Sequence, residues 1–354
     1  MAKNIKISYA EPKDYFSEEI RREYNLGEYA KDPMLEKIKA VMLGHAVGDA
    51  LGVPVEFCTR EELAQNPVTD MMGWGSYDVP PGCWSDDTSM ALATLDSLGS
   101  NRIDYAQIMN NFVAWYYRGE YTPEGKMFDI GGSCRAAIRR YQESDVKSPL
   151  ECGLSDEHSN GNGSLMRIHP MALYLFVRGE EEKAAVEVIH KVSSLTHAHA
   201  RSRIACGVYA HILWELLSSP RRASVLYGLK RAKKFYRENL KDSEKDELLL
   251  FEDEIFKLSE ELPSDEKIES SGYVLDTLRA AIWCLLTSGS YEECVLKAVN
   301  LGEDTDTVAA VAGGLAGALY GMDAIPSAWL AELKKRDYIE KLCESAYTSW
   351  TAQG

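Results

Sequence analysis

The sequence lacks several features that would place it in a common class of protein. Its eight cysteines are scattered singly and include no C-x-x-C pair, so neither a zinc knuckle nor a thiol redox motif is present. Lysine and arginine number 39 against 55 acidic residues, and the net charge of −16 argues against a nucleic-acid-binding surface. No run of eighteen apolar residues and no apolar signal region occur. We therefore expect a cytoplasmic protein with reduced thiols, no membrane association and no nucleic-acid partner.

Alternation of apolar and polar residues, the pattern of a half-buried strand, is nearly absent, whereas apolar residues recur at three- and four-residue steps. With 45% hydrophobic and 27% charged residues, the 354-residue chain has the composition of a globular protein with a large core. We predict an all-α fold with a single domain over residues 34–354. Residues 1–33, polar and weakly periodic, are interpreted as an N-terminal extension, and residues 220–270 as charged amphipathic helices on the periphery.

Residues 301–320, LGEDTDTVAAVAGGLAGALY, combine an acidic helix start with a run of small residues. One interpretation of Asp304, Asp306 and Thr307 is helix capping, because such side chains accept hydrogen bonds from free backbone N–H groups and favour the positive end of the helix dipole. A single cap needs only one such residue, so we favour a site for a hard metal ion. The glycines at 313, 314 and 317 would let a second helix approach closely.

A second acidic helix start, WSDDTSMAL at residues 84–92, follows a loop rich in proline and glycine. Ser85 or Asp86 could cap this helix, but two adjacent aspartates again exceed what a cap requires. Upstream, glycines at 44, 48 and 52 recur at every fourth residue of a predicted helix. Glycine costs roughly 1 kcal/mol in a helix interior, so their recurrence indicates close packing or ligand contact. Charged side chains interrupt the run, which argues against a membrane dimer.

The acidic residues that capping does not explain offer oxygen ligands without an obvious cysteine or histidine companion. Sets made only of oxygen favour Mg²⁺ or Mn²⁺ over zinc or copper. Two such clusters would share two divalent cations and leave positions open for water or substrate oxygens. The residues concerned are Glu56, Asp86, Asp87, Asp304 and Asp306, flanked by the hydroxyls of Ser85 and Thr307.

Two further loops before predicted helices carry groups suited to an anion or a sugar. Asp129 precedes Gly131 and Gly132, whose backbone N–H groups at a helix start would form an anion cradle, with a plain turn as an equal alternative. The loop SNGNGSLMR at residues 159–167 offers amides and a hydroxyl, with a turn plus cap as its alternative. His197 lies at the mouth of another predicted helix, where a lone histidine is more often structural than functional.

The stretches GHAVGDALGVPVEF, WSDDTSMAL, GNGSLMRIHP, LTHAHARSR and GEDTDTVAAVAGGLAGALYG occur in this order. Together they resemble the motifs of the ADP-ribosylglycohydrolase family, over about residues 34–330. The resemblance implies a compact orthogonal bundle of helices with a binuclear Mg²⁺ or Mn²⁺ centre. It also implies a hydrolase that cleaves the glycosidic bond between C1″ of ADP-ribose and an acceptor.

The resemblance further implies roles for individual residues. Glu56 would be the general base or the partner of a metal-bound water, and Asp129 would contact the distal ribose or the leaving group. The first metal cluster would comprise Ser85, Asp86 and Asp87, the last also acting in catalysis, and the second cluster Asp304, Asp306 and Thr307. The loops that hold ADP-ribose would contribute, besides Asp129, the residues Gly131, Gly132, Asn162, Gly163, Ser164 and His197.

The resemblance does not identify the acceptor group to which ADP-ribose is linked. The expected partner is an ADP-ribosylated protein, modified on arginine or serine, or a small-molecule ADP-ribose conjugate. Another ribosyl or nucleotide substrate is an alternative with the same binuclear centre. A further alternative is a protein of the same fold that binds ADP-ribose without catalysis. The complete set of metal ligands argues against this alternative. We expect a monomer.

Overall fold

The computed structural model describes residues 32–143 and 146–352, and within them no β-strand forms. The first eight helices are α1 Pro33–Gly52, α2 Arg60–Gln65, α3 Asp86–Ser97, α4 Tyr105–Arg118, α5 Gly132–Glu143, α6 His169–Arg178, α7 Glu182–Ser194 and α8 Ala200–Ser218. The remaining seven are α9 Arg222–Asn239, α10 Lys245–Glu254, α11 Val274–Thr287, α12 Tyr291–Val299, α13 Thr305–Tyr320, α14 Ser327–Glu332 and α15 Arg336–Thr351. The predicted all-α fold is therefore confirmed.

Most of the predicted N-terminal extension, residues 1–31, lies outside the described residues. Its last two residues instead start α1, because the Asp32 carboxylate accepts a hydrogen bond from the Met34 N–H at 2.9 Å and Pro33 occupies the first turn. Residues 33–55 are long and apolar enough to cross a membrane, but 94% of that apolar window is buried inside the protein. An apolar helix that is buried among other helices belongs to the core of the fold, and α1 is such a helix.

The centre of the fold is a contact between α1 and α13 in which the two backbones nearly touch. A β-carbon at Gly48 would lie 2.1 Å from the Ala309 carbonyl oxygen, and one at Gly317 would lie 2.0 Å from the Ala40 carbonyl oxygen. Such separations are far inside van der Waals contact, so these positions admit no side chain. The glycines of the two predicted helices therefore serve close packing, as their four-residue spacing indicates.

The remaining helices enclose this pair with a single hydrophobic cluster. Buried apolar side chains from Ile38 in α1 to Trp350 in α15 belong to it. The indole N–H of Trp350 donates to the Leu98 carbonyl oxygen at 3.0 Å, which fixes the last helix to the end of α3. Because one contiguous core usually marks one domain, we propose a single domain for residues 34–354, as the sequence predicts.

The charged segment at 220–270 contains α9 and α10, whose apolar faces reach the core through Leu229 and Phe251. Their outer faces carry exposed ion pairs such as Arg237 with Glu252. The eight cysteines are all free thiols, seven of them buried and Cys58 partly exposed. Because none of these cysteines forms a disulfide, non-covalent contacts hold the helices together.

The α1–α13 contact predicts the effect of a single methyl group. Gly48→Ala should lower the free energy of unfolding by about 1–3 kcal/mol, because its β-carbon would overlap the Ala309 carbonyl and force the helices apart. Gly99→Ala is the matched control, since a β-carbon there has nothing within 4 Å, and it should stay within about 0.5 kcal/mol of the parent. Denaturant unfolding of both variants makes the comparison, and equal stabilities would contradict the packing account.

Candidate active site

The first acidic helix start is held in place by a carboxylate from another helix. Asp49 of α1 accepts hydrogen bonds from the Ser85 N–H at 2.8 Å, the Thr88 N–H at 3.0 Å and the Thr88 hydroxyl at 2.7 Å. The cap of α3 is Ser85, whose hydroxyl oxygen accepts from the Asp87 N–H at 3.3 Å. Asp86 and Asp87 are thus not needed as caps, and both are buried.

The second acidic helix start behaves differently from a plain cap. Asp304 stands at the cap position of α13, yet its side chain makes no capping hydrogen bond. Its Oδ2 accepts instead from the Asn162 side-chain amide at 2.8 Å. Asp306 Oδ1 accepts from the Thr307 N–H at 2.8 Å, and the Thr307 hydroxyl donates across to Asp87 Oδ2 at 3.3 Å. Capping therefore does not account for this stretch.

The two helix starts and the arm after α1 bring their carboxylates together. One oxygen from each of Asp49, Asp87 and Asp306 lies within 4.8 Å of the others, and so does one from each of Glu56, Asp129 and Asp306. Asp306 belongs to both groups and joins them. The structure therefore brings together predicted acids from four separate stretches, those that contain Glu56, Asp87, Asp129 and Asp306.

Four buried carboxylate oxygens in this cluster have no hydrogen-bond partner. They are Glu56 Oε2, Asp87 Oδ1, Asp304 Oδ1 and Asp306 Oδ2. A buried charged oxygen without a partner is strongly unfavourable, which makes these atoms the natural ligands of cations. Their chemistry, all oxygen, fits hard divalent ions such as Mg²⁺ or Mn²⁺.

Asp49 was not among the predicted site residues, although it lies inside the cluster. Both of its oxygens are occupied by hydrogen bonds from the start of α3, so we assign it to positioning that helix start and not to holding an ion. The available signal was its place as the single acid in GHAVGDALG, a stretch otherwise of small and apolar residues apart from one histidine. Sequence spacing alone does not reveal which helix start Asp49 reaches.

Burial and mutual repulsion raise the pKa values of the clustered acids. Burial, then the nearby Asp129 carboxylate, raises the pKa of Glu56 to about 8. Burial, then neighbouring carboxylates, raises the pKa values of Asp86, Asp87 and Asp306 well above the usual range. In the absence of cations the cluster therefore retains protons at a pH where exposed acids have lost them.

The loop at 160–164 lies against the cluster and is fixed by two backbone contacts. Asn162 N–H donates to the Gly272 carbonyl oxygen at 3.0 Å, and the Val274 N–H donates to the Asn160 carbonyl oxygen at 3.0 Å. The Asn162 side chain reaches Asp304, as described above, and is itself nearly buried. Ser164, in contrast, turns its hydroxyl into the interior, 2.9 Å from the Ser193 hydroxyl. Of the predicted loop residues, Ser164 does not bring its side chain to the site.

His197 is buried against this loop with its ring orientation fixed from behind. The guanidinium of Arg167 donates to the Thr196 hydroxyl at 2.7 Å, and that hydroxyl lies 2.8 Å from His197 Nδ1. The other edge of the ring faces the loop, where a β-carbon at Gly163 would lie 3.0 Å from His197 Cε1 and 3.6 Å from Nε2. Burial lowers the pKa of His197 to about 3, which keeps the ring neutral.

Asp129 is partly exposed at the edge of the cluster, three residues before the start of α5. A β-carbon at Gly131 or at Gly132 would have nothing within 4 Å, so neither glycine is required for packing. Open space over free N–H groups is compatible with an anion cradle and also with a plain turn.

A surface cleft of about 510 Å³ opens beside the acidic cluster. Its lining residues are Glu157, His158, Asn160, Gly161, Arg201, Gly272 and Tyr273. Arg201 places its guanidinium carbon 5.7 Å from the centre of the Tyr273 ring and forms two hydrogen bonds with Glu247 of α10, at 2.7 and 3.1 Å. Arg201, Tyr273 and Glu247 were not predicted, because they come together only through tertiary packing.

Comparison with known proteins gives one consistent result. The family model for ADP-ribosylglycohydrolase matches residues 30–354. ADP-ribosylarginine hydrolase Tri1 of Serratia proteamaculans is 33% identical over 314 residues, 88% of this chain and 79% of the relative. ADP-ribosyl-[dinitrogen reductase] glycohydrolase of Rhodospirillum rubrum is 32% identical over 302 residues, 84% and 90% of the two chains. A solved "ADP-ribosylglycohydrolase-related protein complex" superposes with a TM-score of 0.71 at 30% identity, covering 90% of this chain and 99% of that one.

The raised pKa values predict how stability depends on pH without metal. The folded protein holds protons on acids such as Glu56 that the unfolded chain releases near its ordinary pKa of 4.5, so stability should fall as pH rises from about 5 to 8. Thermal unfolding in a chelator across this range should therefore give a falling Tm, and Mg²⁺ or Mn²⁺ should raise Tm most at the high end.

The control for that experiment is Asp306→Asn, which removes the carboxylate shared by the two groups of acids. In this variant the fall of Tm with rising pH should be shallower. Two outcomes would contradict a cation site built from these acids. One is a Tm in chelator that does not change with pH, and the other is a Tm that stays the same when Mg²⁺ or Mn²⁺ is added.

Proposed function

The chain belongs to the ADP-ribosylglycohydrolase family, and on that premise we propose that it removes ADP-ribose from a modified arginine or serine side chain of a protein. Water attacks C1″ of the distal ribose, and the bond to the acceptor breaks. The observation that carries this proposal is the convergence of unpartnered oxygens of Glu56, Asp87, Asp304 and Asp306 beside a cleft. Similarity to an ADP-ribosylarginine hydrolase supports arginine as the first acceptor to test.

Two divalent cations, Mg²⁺ or Mn²⁺, fit between the acidic helix starts in this proposal. Ser85, Asp86 and Asp87 would hold one side of the pair, and Asp304, Asp306 and Thr307 the other. When bound, the ions supply positive charge that orients the ribose hydroxyls and favours ionisation of the attacking water. The unpartnered carboxylate oxygens support this assignment, because each of them otherwise lacks a compensating charge or donor.

The protein's own side chains carry the proton and the developing charge. Glu56 is the general base: its Oε2 has no hydrogen-bond partner, and the Tyr77 hydroxyl lies near the same carboxyl group. Departure of the acceptor builds positive charge on the ribose ring, and the carboxylates of Asp87 and Asp129 stabilise it. Glu56 accepts the proton of the attacking water and returns it to the acceptor, which leaves with the electron pair of the broken bond.

The remaining predicted residues hold the ADP part of the substrate. The N–H groups of Gly131 and Gly132 at the start of α5 face a phosphate, and His197 donates from Nε2 next to Gly163. The amide of Asn162 links this loop to Asp304, so binding of the nucleotide and alignment of the acid are coupled. Ser164 contributes through its backbone only, since its hydroxyl is bonded in the interior.

Replacement of the acids tests the proposed chemistry. Asp87→Asn and Asp306→Asn should reduce release of ADP-ribose from ADP-ribosylarginine to near background, because each removes a charge from the cation site. Glu56→Gln should still bind ADP-ribose but lower kcat by roughly 10²–10⁴-fold, the usual contribution of a general base. Chromatography of released ADP-ribose, with Mg²⁺ or Mn²⁺ added back after chelation, measures all three.

Glu303→Gln is the matched control for this series. Glu303 lies in the same GEDTD stretch but is exposed, so turnover should be unchanged. A parent protein that binds ADP-ribose and releases none from arginine, serine or other conjugates would favour the non-catalytic binder. Full activity in Asp306→Asn would remove the two-cluster assignment.

The anion cradle can be separated from a plain turn because it is not needed for packing. Gly131→Ala and Gly132→Ala should leave the free energy of unfolding within about 0.5 kcal/mol, since a β-carbon has open space at both sites. Each should weaken ADP-ribose binding roughly tenfold, or about 1.4 kcal/mol, by keeping the phosphate from the N–H groups. Calorimetric titration with ADP-ribose decides, and unchanged affinity in both variants would assign the loop to a turn.

A further inference from the structure

Three aromatic rings stand beside the carboxylates that border the acidic cluster, and we call Phe57, Tyr77 and Phe128 the aromatic collar. Phe57 directly follows Glu56 in the chain, and Phe128 directly precedes Asp129. The Tyr77 ring lies between them, its centre 6.4 Å from that of Phe57 and 5.0 Å from that of Phe128. The collar and the proposed base therefore share one edge of the site.

The collar is not explained as part of the hydrophobic core. Phe57 is 68% exposed, and Tyr77 and Phe128 are only partly buried. Phe57 has a φ of +70°, in the left-handed region that a bulky side chain enters at a cost of about 1–3 kcal/mol. The Phe57 N–H donates to the Glu303 carbonyl oxygen and the Glu303 N–H donates to the Cys58 carbonyl oxygen, each at 2.8 Å, and this pair holds the conformation against the start of α13. The fold thus keeps an exposed ring in a strained position next to the acids.

The charge around the collar selects the kind of group that the rings can bind. Burial, together with the nearby carboxylates of Glu56, Asp129 and Asp306, raises the pKa of the Tyr77 phenol. The faces of aromatic rings carry partial negative charge and attract cations, above all the planar guanidinium, which also stacks. A neutral hydroxyl acceptor, such as that of serine, gains no comparable attraction to the ring faces. Rings and carboxylates together complement a flat cation.

We propose that the aromatic collar is the acceptor subsite, and that it binds the guanidinium group of an ADP-ribosylated arginine by stacking it on Phe57 and Phe128 beside Glu56 and Asp129. This inference rests on the proposed hydrolase function and adds on which side of the acidic cluster the acceptor lies. ADP-ribose then occupies the opposite side, along the loop at 160–164 and the cleft lined by Tyr273. Bond cleavage takes place between the two sides, at the acidic cluster.

The test removes the π-face and keeps the apolar bulk. Phe57→Leu and Phe128→Leu should each raise KM for ADP-ribosylarginine by about two- to fivefold, with kcat changed less, because a cation–π contact at an exposed site has that strength. The Kd for ADP-ribose alone should not move. Phe57→Tyr should restore the parent KM, since it restores the ring. Agmatine, a free guanidinium compound, should inhibit the parent and inhibit the two leucine variants more weakly.

Tyr227→Leu is the control, since Tyr227 is a 54%-exposed aromatic residue on the peripheral helix α9. Unchanged KM in both leucine variants would overturn the inference and leave the proposed function standing. A parallel rise in KM and in the Kd for ADP-ribose would also overturn it, because the rings would then belong to the ADP-ribose side. A parent enzyme that acts on serine conjugates but not on arginine conjugates overturns the inference alone, whereas one that acts on no conjugate overturns the proposed function as well.

Discussion

The close contact between α1 and α13 is the constraint on which the rest of the structure depends. At Gly52, where α1 ends, a β-carbon would lie 2.3 Å from the Asp306 Cα, so the glycine contact extends into the acidic cluster itself. The same approach brings Asp49 of α1 to the start of α3, where it accepts three hydrogen bonds. Two helix starts and the Glu56 arm are therefore positioned by one backbone-to-backbone contact, and a wider helix separation would disperse the carboxylates.

Such a cluster is unfavourable to assemble, and the fold offsets the cost locally. The starts of α3 and α13 both point their positive dipole ends at the acids, and donors such as the Asn162 amide and the Thr307 hydroxyl bond to some of the carboxylate oxygens. Four oxygens remain without a partner. The protein's own donors therefore offset the cost of the cluster only in part, which is the arrangement expected of acids that could bind a cation.

The fold class and the identity of most of the clustered acids could be predicted from the sequence, because helical periodicity and repeated acidic helix starts are local patterns. What it could not supply were contacts between distant segments. Asp49 looked like an interruption of an apolar helix, since its partners lie 36 and 39 residues away. Ser164 looked like a ligand because its loop is polar, yet its hydroxyl faces the interior. The cytoplasmic location and monomeric state stay predictions.

The charged segment at 220–270, predicted as amphipathic helices on the periphery, contacts the wall of the cleft. Glu247 of α10 holds Arg201 in the wall of the cleft, beside Tyr273 and on the side that we assign to ADP-ribose. The collar on the acceptor side is built from the Glu56 arm, residue 77 and residue 128, without a contribution from that segment. An ion pair this enclosed fixes the arginine it holds, so in the proposed arrangement the segment would support nucleotide binding, and the loops before α3 and α5 would set acceptor preference.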